Sequence, residues 1–171
     1  MIRSILAVIA VLSWGPVAAA QAPGWQDELA ERMLGTWQLE GTVAGNRAAH
    51  HLVTVQWVLN HQFLEIREQT SSDAPASESR YDAMWYLGYD GVSERYVLHL
   101  MDVFGARYSE TIGYGERSGN DLRFVFEYPD GPFHTVWRWA PGPKSWEWHM
   151  EQKDKDGNWK PFGDFKLIRR S

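Results

Sequence analysis

Cysteine is absent from all 171 residues, which excludes disulfides, thiol chemistry and a lipid carried on cysteine. The chain must hold itself together through its core. An excess of positive charge is also missing, since 17 basic residues face 22 acidic ones and the two signs are interspersed. Non-specific attraction to nucleic acid or to anionic lipid has no source in such a chain. No phosphate loop, dinucleotide fingerprint, nucleophile elbow or Ser-His-Asp grouping is present, so kinase, dehydrogenase and conventional hydrolase readings lack support.

Long apolar runs are scarce as well. The clearest, residues 5–12, falls far short of the ~20 residues needed to cross a bilayer. It follows Arg3 and precedes Ala18-Ala19-Ala20, the order of a secretory signal peptide cut before Gln21. Residues 1–20 are therefore expected to be removed, leaving residues 21–171 as one exported domain, periplasmic or secreted, without a stable membrane anchor. Without Arg3 the mature chain carries 16 basic and 22 acidic residues, a net charge near −6.

What the chain has in abundance is aromatic surface, with 10 Trp, 7 Tyr and 7 Phe. Rings of that size bury most of their area in a core or a site. Helical periodicity appears once, over residues 25–34, where Trp25, Leu29 and Met33 recur at i, i+4 and i+8. So short a helix must pack on something.

Beyond it the period is two. Ten strands are predicted, at roughly residues 34–43, 51–59, 62–70, 80–88, 94–101, 107–115, 121–128, 133–140, 145–152 and 160–169. Turn signals separate them, among them Asp90-Gly91, Ser118-Gly119-Asn120, Pro129-Asp130-Gly131-Pro132, Pro141-Gly142-Pro143 and Asp156-Gly157. The longest loop, residues 71–79, is rich in Ser, Ala, Pro and acid and suits a lid. Consecutive strands without intervening helices imply an antiparallel up-and-down sheet, and closing it into a barrel removes its edges. The fold class expected is an all-β, lipocalin-like barrel of about ten strands with one short N-terminal helix.

Register can be derived for three of the strands. Four-residue loops at 129–132 and 141–144 pair Tyr128 with Phe133 and Ala140 with Ser145. Counting outward places Phe124 and Phe126, then Trp137 and Trp139, then Trp146 and Trp148 on one face. The other face carries Glu127, His134 and Glu151 in one row and Arg123, Arg138 and Glu147 in another. Exposing four Trp side chains would forfeit on the order of 15 to 25 kcal/mol of burial, and burying the charged rows costs several kcal/mol per ion. The Trp face must be inside, with His134 and His149 outside.

Polar candidates are few. His50, His51 and His61 lack metal-site spacing and read as surface histidines. Glu147, His149 and Glu151 share a strand face, but it is the solvated one. The segment from Asp154 to Asn158 is a poor calcium loop, with its glycine too early, and reads as a turn. His99 alternates with Tyr96 and Leu98 and is expected to point away from Leu98. Glu110 shares a face with Tyr108, Ile112 and Tyr114, and Glu68 shares one with Leu64 and Ile66. Either those faces point inward, which requires the acids to be paired or their pKa raised, or the acids lie on a reversed face or at the rim.

The helix, then Leu34-Gly35-Thr36-Trp37, then only strands, resembles the calycin group, lipocalins and their relatives. The stretches YLGYDGVSERYVLHLMD, IGYGERSGNDLRF and GDFKLIRR further resemble a bacterial lipocalin-like domain-of-unknown-function family, number fifteen seventy-nine. The resemblance spans nearly the whole mature chain and implies a barrel in which Trp37 packs near the closed end against a C-terminal arginine, Arg169 or Arg170. The chain departs from classical lipocalins in lacking cysteine and in its ten strands, a number closer to fatty-acid-binding and nitrobindin-like haem barrels.

The function expected is binding of a small hydrophobic or aromatic molecule in a lumen lined by Trp57, Trp85, Glu110, Phe124, Phe126, Trp137 and Trp148, without catalysis, metal or cofactor. Haem held by His99 or His149 is one alternative. An enzyme using Glu110 or Glu68 as acid or base is another, and an envelope interaction module with a filled core is a third.

Overall fold

The computed structural model describes residues 24–170. The leader expected over residues 1–20 lies outside them. Among the described residues no helix is long and apolar enough to cross a membrane.

The chain runs α1 (Glu28–Glu31), β1 (Gly35–Val43), β2 (Arg47–Val58), β3 (Phe63–Thr70), β4 (Asp82–Asp90), β5 (Arg95–Asp102), α2 (Ala106–Ser109), β6 (Ile112–Ser118), β7 (Asp121–Tyr128), β8 (Gly131–Ala140), β9 (Ser145–Lys153) and β10 (Trp159–Arg169). Each strand pairs antiparallel with its sequence neighbours, and β1 pairs with β10 to close a ten-stranded barrel. Closure leaves no free edge, which is how a sheet of this length avoids pairing with other chains.

The Trp face points inward. Trp137, Trp146 and Trp148 are each 1% exposed, and Trp139 opposes Trp146 while Trp137 opposes Trp148. His134 and His149 lie on the outer face, where His134 stacks on Trp159 and His149 meets Asp164.

One register differs from the derivation. The β7–β8 connection is the pair Pro129-Asp130, because Gly131 (φ +129°) opposes Tyr128 and continues the ladder that a four-residue loop would have ended. The offset of two residues preserves both faces but changes the partners. Asp121, rather than Arg123, now opposes Arg138. Its carboxylate accepts two hydrogen bonds from Arg138, at 2.9 and 3.1 Å, and a third from Arg123 at 2.9 Å. The hydrogen bonds from Arg138 foremost, outweighing burial, hold the Asp121 carboxyl below its ordinary pKa.

A second correction concerns residues 107–115. Residues 106–109 form α2, whose Ser109 carbonyl meets Nε2 of His99 at 2.6 Å, and β6 begins only at Ile112. Glu110 is the exposed C-cap of α2 and faces no lumen. The apolar alternation of Ile112 and Tyr114 is on the outside, where the Arg95 guanidinium lies 3.8 Å from the Tyr114 ring centroid. Inward stand Gly113 and Gly115. A Cβ on Gly113 would lie 2.6 Å from the Phe126 ring, and one on Gly115 would lie 2.4 Å from both Phe124 Cδ1 and the Arg123 carbonyl. Two phenylalanines of β7 thus occupy the space that side chains of β6 would need.

α1 is shorter than the periodicity suggests, four residues capped by Asp27, whose carboxylate accepts from the Leu29 and Ala30 N–H groups at 2.7 and 2.9 Å. Its carbonyl end closes the barrel. The Met33 carbonyl accepts from Trp37 Nε1 at 2.7 Å, and the Arg32 carbonyl from Trp146 and Arg169. Arg169 also lays its guanidinium over the Trp37 ring at 4.3 Å. This is the helix end of the barrel; the opposite, loop end carries residues 71–81 and α2.

Candidate functional site

The residues expected to line a lumen fall at three levels. Trp57 belongs to the helix end, half-buried, edge-on to Trp25 at 5.1 Å and donating to Glu31. Trp137, Trp148, Phe124 and Phe126 form the waist. Trp137 stacks on Trp148 at 4.1 Å, Trp148 meets Phe165 and Trp85 at 5.4 Å, and Trp148 Nε1 donates to Thr135. Trp137 and Trp148 are each only 1% exposed. The waist is filled by its own rings, as interiors of small barrels often are. Trp85 lies toward the loop end, and its indole leads to a polar cluster that sequence reasoning divided between a surface and an undecided face.

Glu68 follows Leu64 and Ile66 on the inward face of β3 and is 3% exposed. One carboxylate oxygen lies 2.6 Å from His51 Nδ1, and the other accepts from Trp85 Nε1 at 3.2 Å. His51 is not a surface histidine. The alternation of β2 starts before residue 51, at Ala49, and carries His51 inward with Val53 and Val55, leaving it 6% exposed. That period of two was the available signal. Carboxylates and imidazoles in an apolar interior persist only when paired, and here the pairing is mutual.

The pair is roofed by the loop. The Tyr81 ring stacks on the His51 ring at 5.5 Å, and the Tyr81 hydroxyl donates to Asp102 at 3.3 Å. Glu78, whose side chain is 7% exposed, lies with one oxygen 3.5 Å from His51 Nε2. Its carboxylate also accepts from the His50 backbone N–H at 2.9 Å and meets His50 Nδ1 at 2.8 Å. His51 thus bridges a wall carboxylate and a loop carboxylate.

Local fields match this geometry. Burial, then the Glu68 and Asp102 charges, push the Tyr81 phenol far above its ordinary pKa, keeping it a neutral donor. Burial also raises the Asp102 carboxyl. Burial would raise Glu78 too, but the His50 backbone and ring contacts and the nearby His51 outweigh it and hold this carboxyl below its ordinary value.

Around the cluster runs an aromatic rim. Phe104 lies 6.0 Å from Tyr81, Tyr108 lies 5.9 Å from Tyr128, and Phe133 bridges Tyr128 and Phe162. Burial, then Asp102 and Asp130, raise the Tyr128 phenol to about 12. Phe104 is 67% exposed and Val103 57%, so this end presents apolar surface to solvent. His99 and His149, the histidines considered for haem, both sit on the outer face, His99 under α2 and His149 beside Asp164. Among the described residues no grouping of three or more His, Asp or Glu side chains has metal-holding geometry.

No protein-family model matches this sequence, and no curated protein matches it. Among solved structures, a redesigned β-barrel matches at 10% identity over 84% of this chain and 96% of its own, with a TM-score of 0.44.

Proposed function

We propose that this protein binds a small molecule with an apolar or aromatic body at the loop end of the barrel, its polar group meeting the Glu68–His51 pair beneath residues 71–81. The observation that carries this reading is that pair, buried at 3% and 6% exposure in a largely apolar interior. Well-packed apolar residues in place of a buried ion pair are commonly neutral or stabilising, so stability alone gives a barrel no reason to keep one. Buried, paired titratable groups beside an aromatic rim are the usual composition of a ligand site. The sequence supports an exported protein, which would place this binding outside the cytoplasm after removal of residues 1–20. Catalysis is not part of the proposal.

A second reading has its own support. The stacked waist, with Trp137 and Trp148 each 1% exposed, suits a filled core whose outer surface contacts another envelope protein, with Phe104 and Val103 as the apolar patch.

Native mass spectrometry of the mature chain, taken gently from a periplasmic fraction, separates the two. A stoichiometric adduct on the wild type that is lost in a folded Glu68→Gln variant supports the loop-end site, and its mass tells haem from smaller ligands. Bare chain in both, even after incubation with a panel of hydrophobic small molecules, sinks the binding reading and leaves the filled-core module.

A further inference from the structure

We infer that the ligand of the loop-end site carries a carboxylate, and that Glu78 is an intramolecular stand-in for it. This rests on the binding reading above and names its chemical class.

Residues 71–80 place little of themselves in the protein. Ser72, Asp73, Pro75, Ala76, Ser77, Ser79 and Arg80 are all exposed, whereas the Glu78 side chain turns inward to 7% exposure. What receives it is a set of groups on β2, a strand paired on both sides within the closed wall. The His50 N–H, the His50 Nδ1 and the His51 Nε2 converge on its two oxygens at 2.9, 2.8 and 3.5 Å. The two short contacts from His50, with the His51 Nε2 standing beside them, suit a carboxylate, because a carboxylate offers two acceptor oxygens and no proton. The receptor is held from behind, where Glu68 fixes the His51 ring through Nδ1 at 2.6 Å and aims Nε2 toward the loop.

The loop itself is anchored at its two ends. The Ser71 N–H donates to the His50 carbonyl, and the Tyr81 N–H to Thr70 Oγ1. Between those anchors its backbone makes two local turns, from Ala74 to Ser71 and from Glu78 to Pro75, and one long bond from Thr70 Oγ1 to the Ser79 carbonyl at 3.5 Å. Lifting the segment costs chiefly the Glu78 contacts, and an external carboxylate placed on the same donors restores them. The rings of Tyr81 and Phe104 stand beside the receptor and suit an aromatic or apolar body. A latch that keeps the site closed ten to one masks roughly tenfold of the intrinsic affinity.

The test compares phenylacetate with its neutral isostere phenylacetamide, titrated into the wild type, Glu78→Ala and Glu78→Ala/His50→Ala while the His51 ring resonances, and those of His50 in the first two proteins, are followed by NMR. Glu78→Gln replaces Glu78→Ala if the alanine variant does not fold. The expected result is that Glu78→Ala binds phenylacetate at least about tenfold more tightly than the wild type, shifts both histidine rings, and ignores the amide. Adding His50→Ala should reverse the gain. Equal binding of acid and amide would overturn the carboxylate assignment while leaving a loop-end site. If neither probe moves these rings in any variant, the stand-in and the loop-end binding reading both fall.

Discussion

Replacing Glu68 by leucine tests the central pair most directly, because the pair makes opposite predictions for one substitution and for two. In Glu68→Leu, His51 keeps the Tyr81 stack and the 3.5 Å contact to Glu78 but loses its 2.6 Å partner, and Trp85 Nε1 loses its acceptor. In His51→Leu, the Glu68 carboxylate stays buried at 3% exposure with Trp85 as its remaining partner among the contacts described. Removing one member of a buried pair costs about 3–5 kcal/mol, so each single variant should lose that much. In a domain of this size each kcal/mol shifts Tm by about 2–4 °C, giving a fall of roughly 6–20 °C. The double variant removes both polar partners. What remains is the orphaned Trp85 N–H, costing about 1–3 kcal/mol, offset by an apolar gain of roughly 1–4 kcal/mol. Its stability should lie near the wild type and well above either single. Urea titrations followed by tryptophan fluorescence measure all four corners, and a coupling of about 3 kcal/mol or more is expected. If the double variant is destabilised by the sum of the singles, the groups act independently and the reasoning from a mutually satisfied pair is wrong.

Three further outcomes follow from other parts of the barrel. Asp27→Ala removes the cap of α1 together with the acceptor for Tyr96 and Arg117, both at 2.7 Å, and should cost about 1–2 kcal/mol in urea titrations, whereas Asp27→Asn should keep most of the cap. Burial alone would raise the Asp27 carboxyl, but Tyr96, the Ala30 N–H and Arg117 outweigh it and hold it below its ordinary value of 3.8. Its stabilisation is therefore complete above the unfolded pKa and fades as pH falls through the lower folded one, so wild-type and Asp27→Asn melting curves should converge in acid. Gly115→Ala sets a Cβ 2.4 Å from the Arg123 carbonyl, which a backbone cannot yield cheaply, and should cost about 1–3 kcal/mol; Gly142→Ala, with nothing within 4 Å, should be neutral by the same assay. Thr135→Val keeps the shape of a fully buried residue but strips Trp148 Nε1 of its acceptor, an expected loss of about 1–3 kcal/mol with a change in tryptophan emission.

Most of the barrel was legible because its information is local. Alternation with period two, interrupted by Asp90-Gly91 or Pro141-Gly142-Pro143, specifies strands and turns without knowledge of partners. The inward slab of Trp137, Trp139, Trp146 and Trp148 followed from one turn length and the cost of exposing indoles. Where a turn could close in two ways the derivation slipped, and the ladder through Gly131 gave Arg138 to Asp121. The slip of two left the faces intact, so the core survived an error that changed the partners between β7 and β8. The β6 face was misread because Tyr114 is apolar enough to suggest the inside, yet Phe124 and Phe126 already filled that space.

The site was the part least written in the sequence. Alternation by itself determined the strands and their aromatic inward face, because the side-chain period of a strand is a property of each segment alone. Only the tertiary structure decided that His50, His51, Glu68 and Glu78 meet, since the His51–Glu68 and His50–Glu78 contacts span 17 and 28 residues along the chain. Which polar groups neutralise one another depends on where β2 begins, how β3 registers beside it and where residues 71–81 fold back, and those are fixed by pairing between strands rather than within one.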